Sequence, residues 1–376
     1  MTPEEVELLS ELTIVIPTYN RPLELERTIE YWRDLPVTVH ILDGSENPWF
    51  PVGVLPGASK IFYHHIPTRN SNDQKENYLL RIKFSTKLSK TKYSALCADD
   101  DVFLIGGLVE AIRLLESKDE IDSITGKSCE YLKTDLSVLW FEVSRHVRDT
   151  ERYHSEISRR LFSEVLIANY YGIFRTQVWK QIHESQTSYS FKAIVCNEFL
   201  AHFLVSALCR NFVIDSYLWA RNQGHPNPSG ISDNQVRFGD WVNSQNHTEE
   251  VKVFSTILSE SLSTIDSSLN RENADKLVGL MLSRIPRHRP TCKQIFERRA
   301  KALILIWISC LPKTVRRGLY AQLSHGLQKR VGSDDFDVNF KPKNFLSEEL
   351  SCTEDFQNFE KLLLVPREEL RLRANI

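Results

Sequence analysis

The chain has 376 residues, 41% of them apolar, and a net charge of -2. That length exceeds one average domain, and the apolar share can build a sizeable core, so a disordered chain is excluded. The near-neutral balance argues neither for nor against nucleic acid, and with no recognisable binding module no nucleic-acid partner is expected.

Thr13-Ile14-Val15-Ile16 is a β-branched run that reads as a strand. It ends in Pro17-Thr18-Tyr19-Asn20-Arg21-Pro22, a string of turn formers. Leu23, Leu25, Ile29 and Trp32 then recur at helical spacing. Residues 37–42 are a second apolar run, halted by Asp43-Gly44-Ser45. Residues 60–64 read as a third strand, and 74–90 as a helix through Tyr78, Leu79, Ile82 and Leu88. Residues 93–98 form a fourth strand that runs into Asp99-Asp100-Asp101, and 107–115 is helical again. Strands alternating with helices predict an α/β fold with a parallel, doubly wound sheet. In such sheets ligands bind beyond the carboxyl ends of the strands. The Pro-Thr-Tyr-Asn, Asp-Gly-Ser and triple-Asp clusters all fall there.

After residue 125 the pattern is mixed. Residues 138–143 and 212–218 read as strands, and 161–173 and 197–208 as helices. The charged stretch 145–158 has no period and reads as a loop over the site. A turn-rich segment through His225 closes a unit spanning 12–235. The remainder, 236–376, reads as a mainly helical extension. Its segment 284–330 holds twelve Lys and Arg against Glu297 alone. Around the apolar run 302–310 this suits either an anionic membrane surface or a buried helix with a basic rim, as in a homodimer interface.

Seven cysteines, with no pair at CxxC spacing, disfavour a disulfide framework or zinc ribbon. The acidic N-terminus does not read as a signal peptide. The run 302–310 is far short of the roughly 20 residues of a spanning helix. A cytoplasmic protein is expected, peripheral at most on the inner membrane face.

Three adjacent carboxylates repel one another unless a cation is present. In extended chain Asp99 and Asp101 share a face. Two carboxylates plus diphosphate oxygens suit Mg²⁺ or Mn²⁺, which would neutralise a departing nucleoside diphosphate. The bland alternative is a solvated acidic turn.

Together, Pro-Thr-Tyr-Asn-Arg after the first strand, Asp-Gly-Ser after the second and the Asp cluster after the fourth resemble the GT-A, family-2-type glycosyltransferases. The resemblance covers about residues 12–235. Ala-Leu-Cys-Ala-Asp-Asp-Asp, Tyr-Tyr-Gly-Ile-Phe-Arg-Thr, Asn-Glu-Phe-Leu and Leu-Trp-Ala-Arg-Asn resemble a bacterial subgroup. The resemblance implies a GT-A, Rossmann-like fold with a mostly parallel sheet flanked by helices. It implies a nucleoside cradle at Pro17, Thr18, Tyr19 and Arg21, and a pyrimidine contact at Asp43. It implies diphosphate and metal contacts at Asp99, Asp100 and Asp101, with Asp101 the main metal ligand and Asp99 nearer the ribose. Glu198 stands where the family carries its catalytic base. The chain departs from the family in having Leu42-Asp43 where two acids precede Gly-Ser. It also lacks Gln-x-x-Arg-Trp, which disfavours a processive synthase.

Glu198 is also arguable directly, because a sugar hydroxyl needs a base in the transition state and apolar neighbours would raise a carboxyl pKa. A helix-start Glu favoured by the helix dipole is the competing reading. Arg175 and Arg221 could clamp phosphate, and Tyr171 could stack on a sugar face. Lys75 and Arg81 could reach the nucleotide or simply be solvated, and His225 could touch donor or acceptor. His64, His65 and His154 have no partner at metal-ligand spacing.

The leading expectation is therefore a metal-dependent, inverting glycosyltransferase. Its donor would be a nucleotide sugar, UDP-sugar favoured, and its acceptor a glycan or lipid-linked hydroxyl. A nucleotidyltransferase is less favoured because no Gly-rich loop follows the first strand. A non-catalytic carbohydrate-binding scaffold is the third reading.

Overall fold

The computed structural model describes residues 1–55, 57–67, 74–133, 138–142, 157–162, 170–222, 238–265, 269–285 and 354–365. Among the described residues the fold is α/β, built on one ten-stranded sheet. Its strands are β1 (Leu12–Thr18), β2 (Thr38–Asp43), β3 (Gly53–Leu55), β4 (Ala58–His65), β5 (Tyr93–Leu96), β6 (Val102–Phe103), β7 (Ser123–Lys133), β8 (Val138–Glu142), β9 (Ile173–Arg175) and β10 (Asn211–Asn222). They run in the order β3-β4-β2-β1-β5-β9-β7-β10-β6, with β8 on β7. β4, β2, β1 and β5 are parallel neighbours, as are β7 and β10. β9 lies antiparallel between the two groups. The six long-range strands therefore share one direction, and β3, β6, β8 and β9 oppose it.

The parallel core follows from alternation. Val15, Leu42 and Leu96 face one hydrophobic cluster, and Ile14, Ile16, Val39, Ile41 and Ala95 face the other. A strand buried on both faces reads as a near-continuous apolar run, and residues 12–16 and 39–42 do, broken only by the buried Thr13 and His40. Helices α1 (Pro3–Ser10), α2 (Pro22–Trp32) and α4 (Ile105–Ser117) cover one face through Leu9, Leu25, Ile29, Trp32 and Leu108. Helices α3 (Gln74–Leu88), α5 (Ile157–Phe162), α6 (Thr176–Gln186) and α7 (Ile194–Leu208) cover the other. Full burial of each such side chain contributes about 1.5–3 kcal/mol.

Helices α8 (Phe238–Val242), α9 (Thr248–Ile265) and α10 (Arg271–Ser283) follow. Their Phe238, Trp241, Phe254 and Leu258 share the core of α7. The chain beyond 235 is thus packed into the same body as the sheet in its described part. The boundary expected near 235, His225 and the basic stretch from 286 to 330 lie outside the described residues. A last helix, α11 (Glu354–Leu364), packs by Phe359 and Leu363 against Tyr131, Trp140 and Val138. Among the described residues no helix is long and apolar enough to cross a membrane.

Two sequence expectations change. The helix expected over 161–173 covers only its start, because α5 ends at Phe162, residues 163–169 lie outside the described set and Ile173 opens β9. Ile173 and Phe174 are buried between β5 and β7, so their apolar spacing belongs to a strand. The loop expected over 145–158 lies outside the described residues up to 156, and Ile157 and Ser158 begin α5. β7 was not foreseen, since it reads Ser-Ile-Thr-Gly-Lys-Ser-Cys. Small residues are needed there: a Cβ on Gly126 would meet Ser216 O and Leu218 Cβ at 2.7 Å.

Candidate functional site at the carboxyl edge of the sheet

The site begins with register. Thr18 at the end of β1 pairs with Asp43 at the end of β2, and Val15 pairs with Leu96 of β5. Three residues beyond those last partners stand Thr18 and Asp99 (15 + 3 and 96 + 3), so the two meet at the sheet edge. Thr18 Oγ1 donates to Asp99 Oδ2 at 2.6 Å. Arg21, leading into α2, donates Nη1 to Asp99 Oδ1 at 2.7 Å and lies 2.8 Å from Asp100 Oδ2. Burial pulls the Arg21 pKa down, but the two aspartates outweigh it and the group stays charged. Asp99 moves the other way: burial raises its pKa and Arg21 only partly restores the charged form.

The second cluster is a tight turn. Asp43 is fully buried, and its Oδ1 accepts from Ser45 N at 2.8 Å and Ser45 Oγ at 2.5 Å. The Tyr63 hydroxyl donates to Oδ2. In this structure Asp43 is occupied with pinning the turn that follows β2 and presents no exposed surface for the pyrimidine contact expected of it. Ser45 Oγ accepts from Asn20 N at 2.9 Å and from Trp49 Nε1 at 3.2 Å. Asn20 holds φ 54°, a left-handed geometry asparagine tolerates. Trp49 is exposed at this rim.

Arg81 lies beneath. It is buried, donates Nη1 to Thr18 O at 2.8 Å, and burial draws its pKa down to about 10. Gly44 makes this possible, since a Cβ there would stand 1.8 Å from Arg81 Nη1. Arg81 thus supports the turn after β1 from behind. The side chain of Lys75 is outside the described set. Pro17 lies in β1, and Tyr19 is half-buried within electrostatic reach of Arg81.

The third cluster joins the aspartates to β10. Asp101 Oδ1 accepts from Asn222 N at 3.0 Å and Oδ2 from Trp219 Nε1 at 3.2 Å. Burial raises its pKa, Asp100 adds to the rise and Arg221 opposes it. Tyr171 stacks on Trp219, centroids 4.3 Å apart and planes 10° from parallel. Arg221 is exposed and within electrostatic reach of Asp101, Tyr171 and Glu198.

Glu198 is the fifth residue of α7, past the first turn where the dipole acts most strongly. Tyr78, Tyr170 and Tyr171 surround it closely enough to feel its charge. Its side chain reaches solvent, yet these dense surroundings strip hydration from the carboxylate more than Arg221 compensates. The pKa is pushed up to about 7, which is where a general base for neutral pH should lie. Tyr170 is anchored below by Tyr78 and Gln186.

Arg175 stands elsewhere. It pairs with Tyr93 at the opposite end of β5, and its guanidinium donates to Ile121 O at 2.8 Å, Leu115 O at 2.7 Å and Lys118 O at 2.9 Å. The expected phosphate clamp is instead a cap on the carbonyls at the end of α4.

No three His, Cys, Asp or Glu side chains converge as a cation cage among the described residues. Asp99 directs its two oxygens at Thr18 and Arg21, which disfavours the share in the metal expected of it. Asp101 fits a divalent cation better: it is a buried carboxylate whose bonded partners are two neutral donors. One carboxylate plus phosphate and water oxygens is an ordinary Mg²⁺ arrangement. His64 pairs with His40 at 3.0 Å, and His65 Nε2 lies 2.8 Å from Ser45 O; His154 lies outside the described residues.

Sequence reasoning assigned no site role of their own to Ser45, Trp49, Tyr78, Tyr131 or Asn222. Trp219 and Asn222 flank Arg221 in Leu-Trp-Ala-Arg-Asn, and that adjacency was the available signal.

No family model matches the chain, and no curated protein matches it. Solved structures do show a distant likeness. S. aureus TarS residues 1–349 align with 72% of this chain and 70% of theirs, at 13% identity and TM-score 0.43. The same protein in complex with UDP aligns at 13% identity, 73% and 71% coverage and TM-score 0.41. Its complex with UDP-GlcNAc gives 13%, 72%, 71% and 0.40.

Proposed function

We propose that this chain is an inverting, metal-dependent glycosyltransferase of the GT-A kind. It would move a sugar from a UDP-sugar to a hydroxyl of a glycan or lipid-linked acceptor. The observation that carries the reading is the meeting of two sets of groups at one sheet edge. Thr18, Arg21 and Asp99 form one set, and Asp101, Tyr171, Arg221 and Glu198 the other.

In this reading the turns after β1 and β2 receive the nucleoside, with exposed Trp49 on the rim. Asp101 would hold Mn²⁺ or Mg²⁺, which would supply Lewis-acid charge at the diphosphate. Arg221 adds positive charge between the leaving group and the base. Glu198 takes the proton of the acceptor hydroxyl as that oxygen bonds to the anomeric carbon. The bond from that carbon to the diphosphate oxygen breaks on the opposite face. The basic segment 284–330 fits an anionic membrane surface bearing the acceptor.

Glu198→Gln tests the assignment. Transfer should fall at least about 100-fold, the usual worth of a general base, while UDP affinity stays within about twofold. Undiminished transfer, or a product of retained configuration by NMR, would remove Glu198 as the base.

A further inference from the structure

The turn that carries the aspartates is held by its main chain. Thr28 Oγ1 donates to Asp99 O at 2.8 Å, and Tyr31 OH to Phe103 O at 2.7 Å. The Tyr131 hydroxyl donates to Asp100 O. Thr28 and Tyr31 come from α2 and Tyr131 from β7, so three side chains from two elements fix residues 99–103. Side-chain hydroxyls position carbonyls well only when their own rings are locked.

Tyr31 also packs on Trp32 and Tyr131 on Trp140, and α11 supplies the ring that touches both tyrosines. Phe359 meets Tyr31 edge-on at 5.5 Å and 83°, and Tyr131 edge-on at 5.2 Å and 84°. It also leans on Trp140 at 6.1 Å. Such edge-to-face geometry is directional, because the ring quadrupole favours it over a shifted contact. Phe359 and Leu363 are one helical turn apart and both buried, while Gln357, Asn358 and Lys361 are exposed. They close a cluster that includes Val102 and Leu104 on the strand side of the aspartates and Ala220, the neighbour of Arg221. A helix more than two hundred residues along the chain thus reaches the back of the site.

We infer that α11 is a positioning element for the aspartate turn, with Phe359 acting through Tyr31 and Tyr131 on the main chain of residues 99–103. Its effect on donor binding rests on the function proposed above; its effect on the turn does not.

The test has two readouts on the full chain. In hydrogen exchange, Phe359→Ala should speed exchange of segment 98–104 at least tenfold, where Asp101 N bonds Ala98 O and Leu104 N bonds Leu218 O. Segment 12–18 should keep its protection. In titration, the affinity for UDP with Mn²⁺ should fall about tenfold, equal to about 1.4 kcal/mol, and Phe359→Leu should recover part of it. Tyr131→Phe keeps the ring contact but removes the bond to Asp100 O, so it should reproduce the loss with little change in melting temperature. If Phe359→Ala does not fold, Phe359→Leu, which keeps an apolar side chain but loses the ring edges against Tyr31 and Tyr131, decides the matter by the same exchange readout. Unchanged exchange over 98–104 in both variants overturns the inference. Wild-type protein that binds no UDP would sink the functional reading instead, leaving the exchange result to decide this one.

Discussion

Arg21→Ala is the perturbation whose size the structure sets most closely. One nitrogen, Nη1, lies 2.7 Å from Asp99 and 2.8 Å from Asp100, with the Arg21 side chain 12% exposed and Asp99 6%. Removing one partner of a buried ion pair costs about 3–5 kcal/mol when the other charge must remain. Here the remaining charge can escape, because burial already raises the Asp99 pKa and the variant would simply protonate it. The loss should therefore be about 2–4 kcal/mol at pH 8, read as the shift in urea denaturation midpoint at constant slope. The sign with pH follows. Arg21 contributes only while the carboxylates are charged, so the gap between wild type and variant should be largest at high pH and shrink as pH falls through the raised Asp99 pKa. Arg21→Lys should keep part of the effect, since one ammonium can sit between both carboxylates. A difference under about 0.5 kcal/mol, the range of ordinary surface changes, or one that does not vary with pH, would refute the reasoning.

Gly44→Ala should cost about 3 kcal/mol or more and abolish nucleotide binding, because Arg81 is buried and cannot swing to solvent away from a Cβ at 1.8 Å; calorimetry with UDP checks it. Arg175→Ala should destabilise by about 2–3 kcal/mol, having left three carbonyls without their charged donor, yet leave UDP affinity unchanged. If it abolished binding, the placement of Arg175 as a structural cap would be wrong. The pH profile of kcat/KM should fall with unit slope below about 7, where Glu198 becomes protonated and can no longer accept a proton. Because its folded pKa is raised, the stability linked to Glu198 is present below the ordinary glutamate value and lost as pH rises through about 7. Glu198→Gln should thus be neutral or stabilising at pH 8, and a marked destabilisation would contradict that.

The parallel half of the sheet was legible because β1, β2 and β5 are buried on both faces and show as mostly apolar runs ending in Pro-Thr-Tyr-Asn, Asp-Gly-Ser and the aspartates. β7 and β9 were not, since close approach of β10 selects Gly126 over a branched residue, and three residues are too few for a period. Thr18, Arg21, Asp99 and Glu198 could be chosen by residue type and position. The fates of Asp43 and Arg175 could not, because they depend on Tyr63 and on the carbonyls of α4, partners far along the chain. Tyr131 and Phe359 carried no motif at all; their role arises from ring contacts across 228 residues (359 − 131).

The central claim is that this sheet edge binds a nucleotide sugar with a cation at Asp101. The most direct measurement is thermal stabilisation by a panel of nucleotide sugars with and without Mn²⁺, for wild type and Asp101→Ala. The account predicts that a UDP-sugar raises the wild-type melting temperature, that Mn²⁺ enlarges the rise, and that Asp101→Ala loses the Mn²⁺-dependent part. No stabilisation by any nucleotide sugar, or the same Mn²⁺ effect in Asp101→Ala, would contradict it.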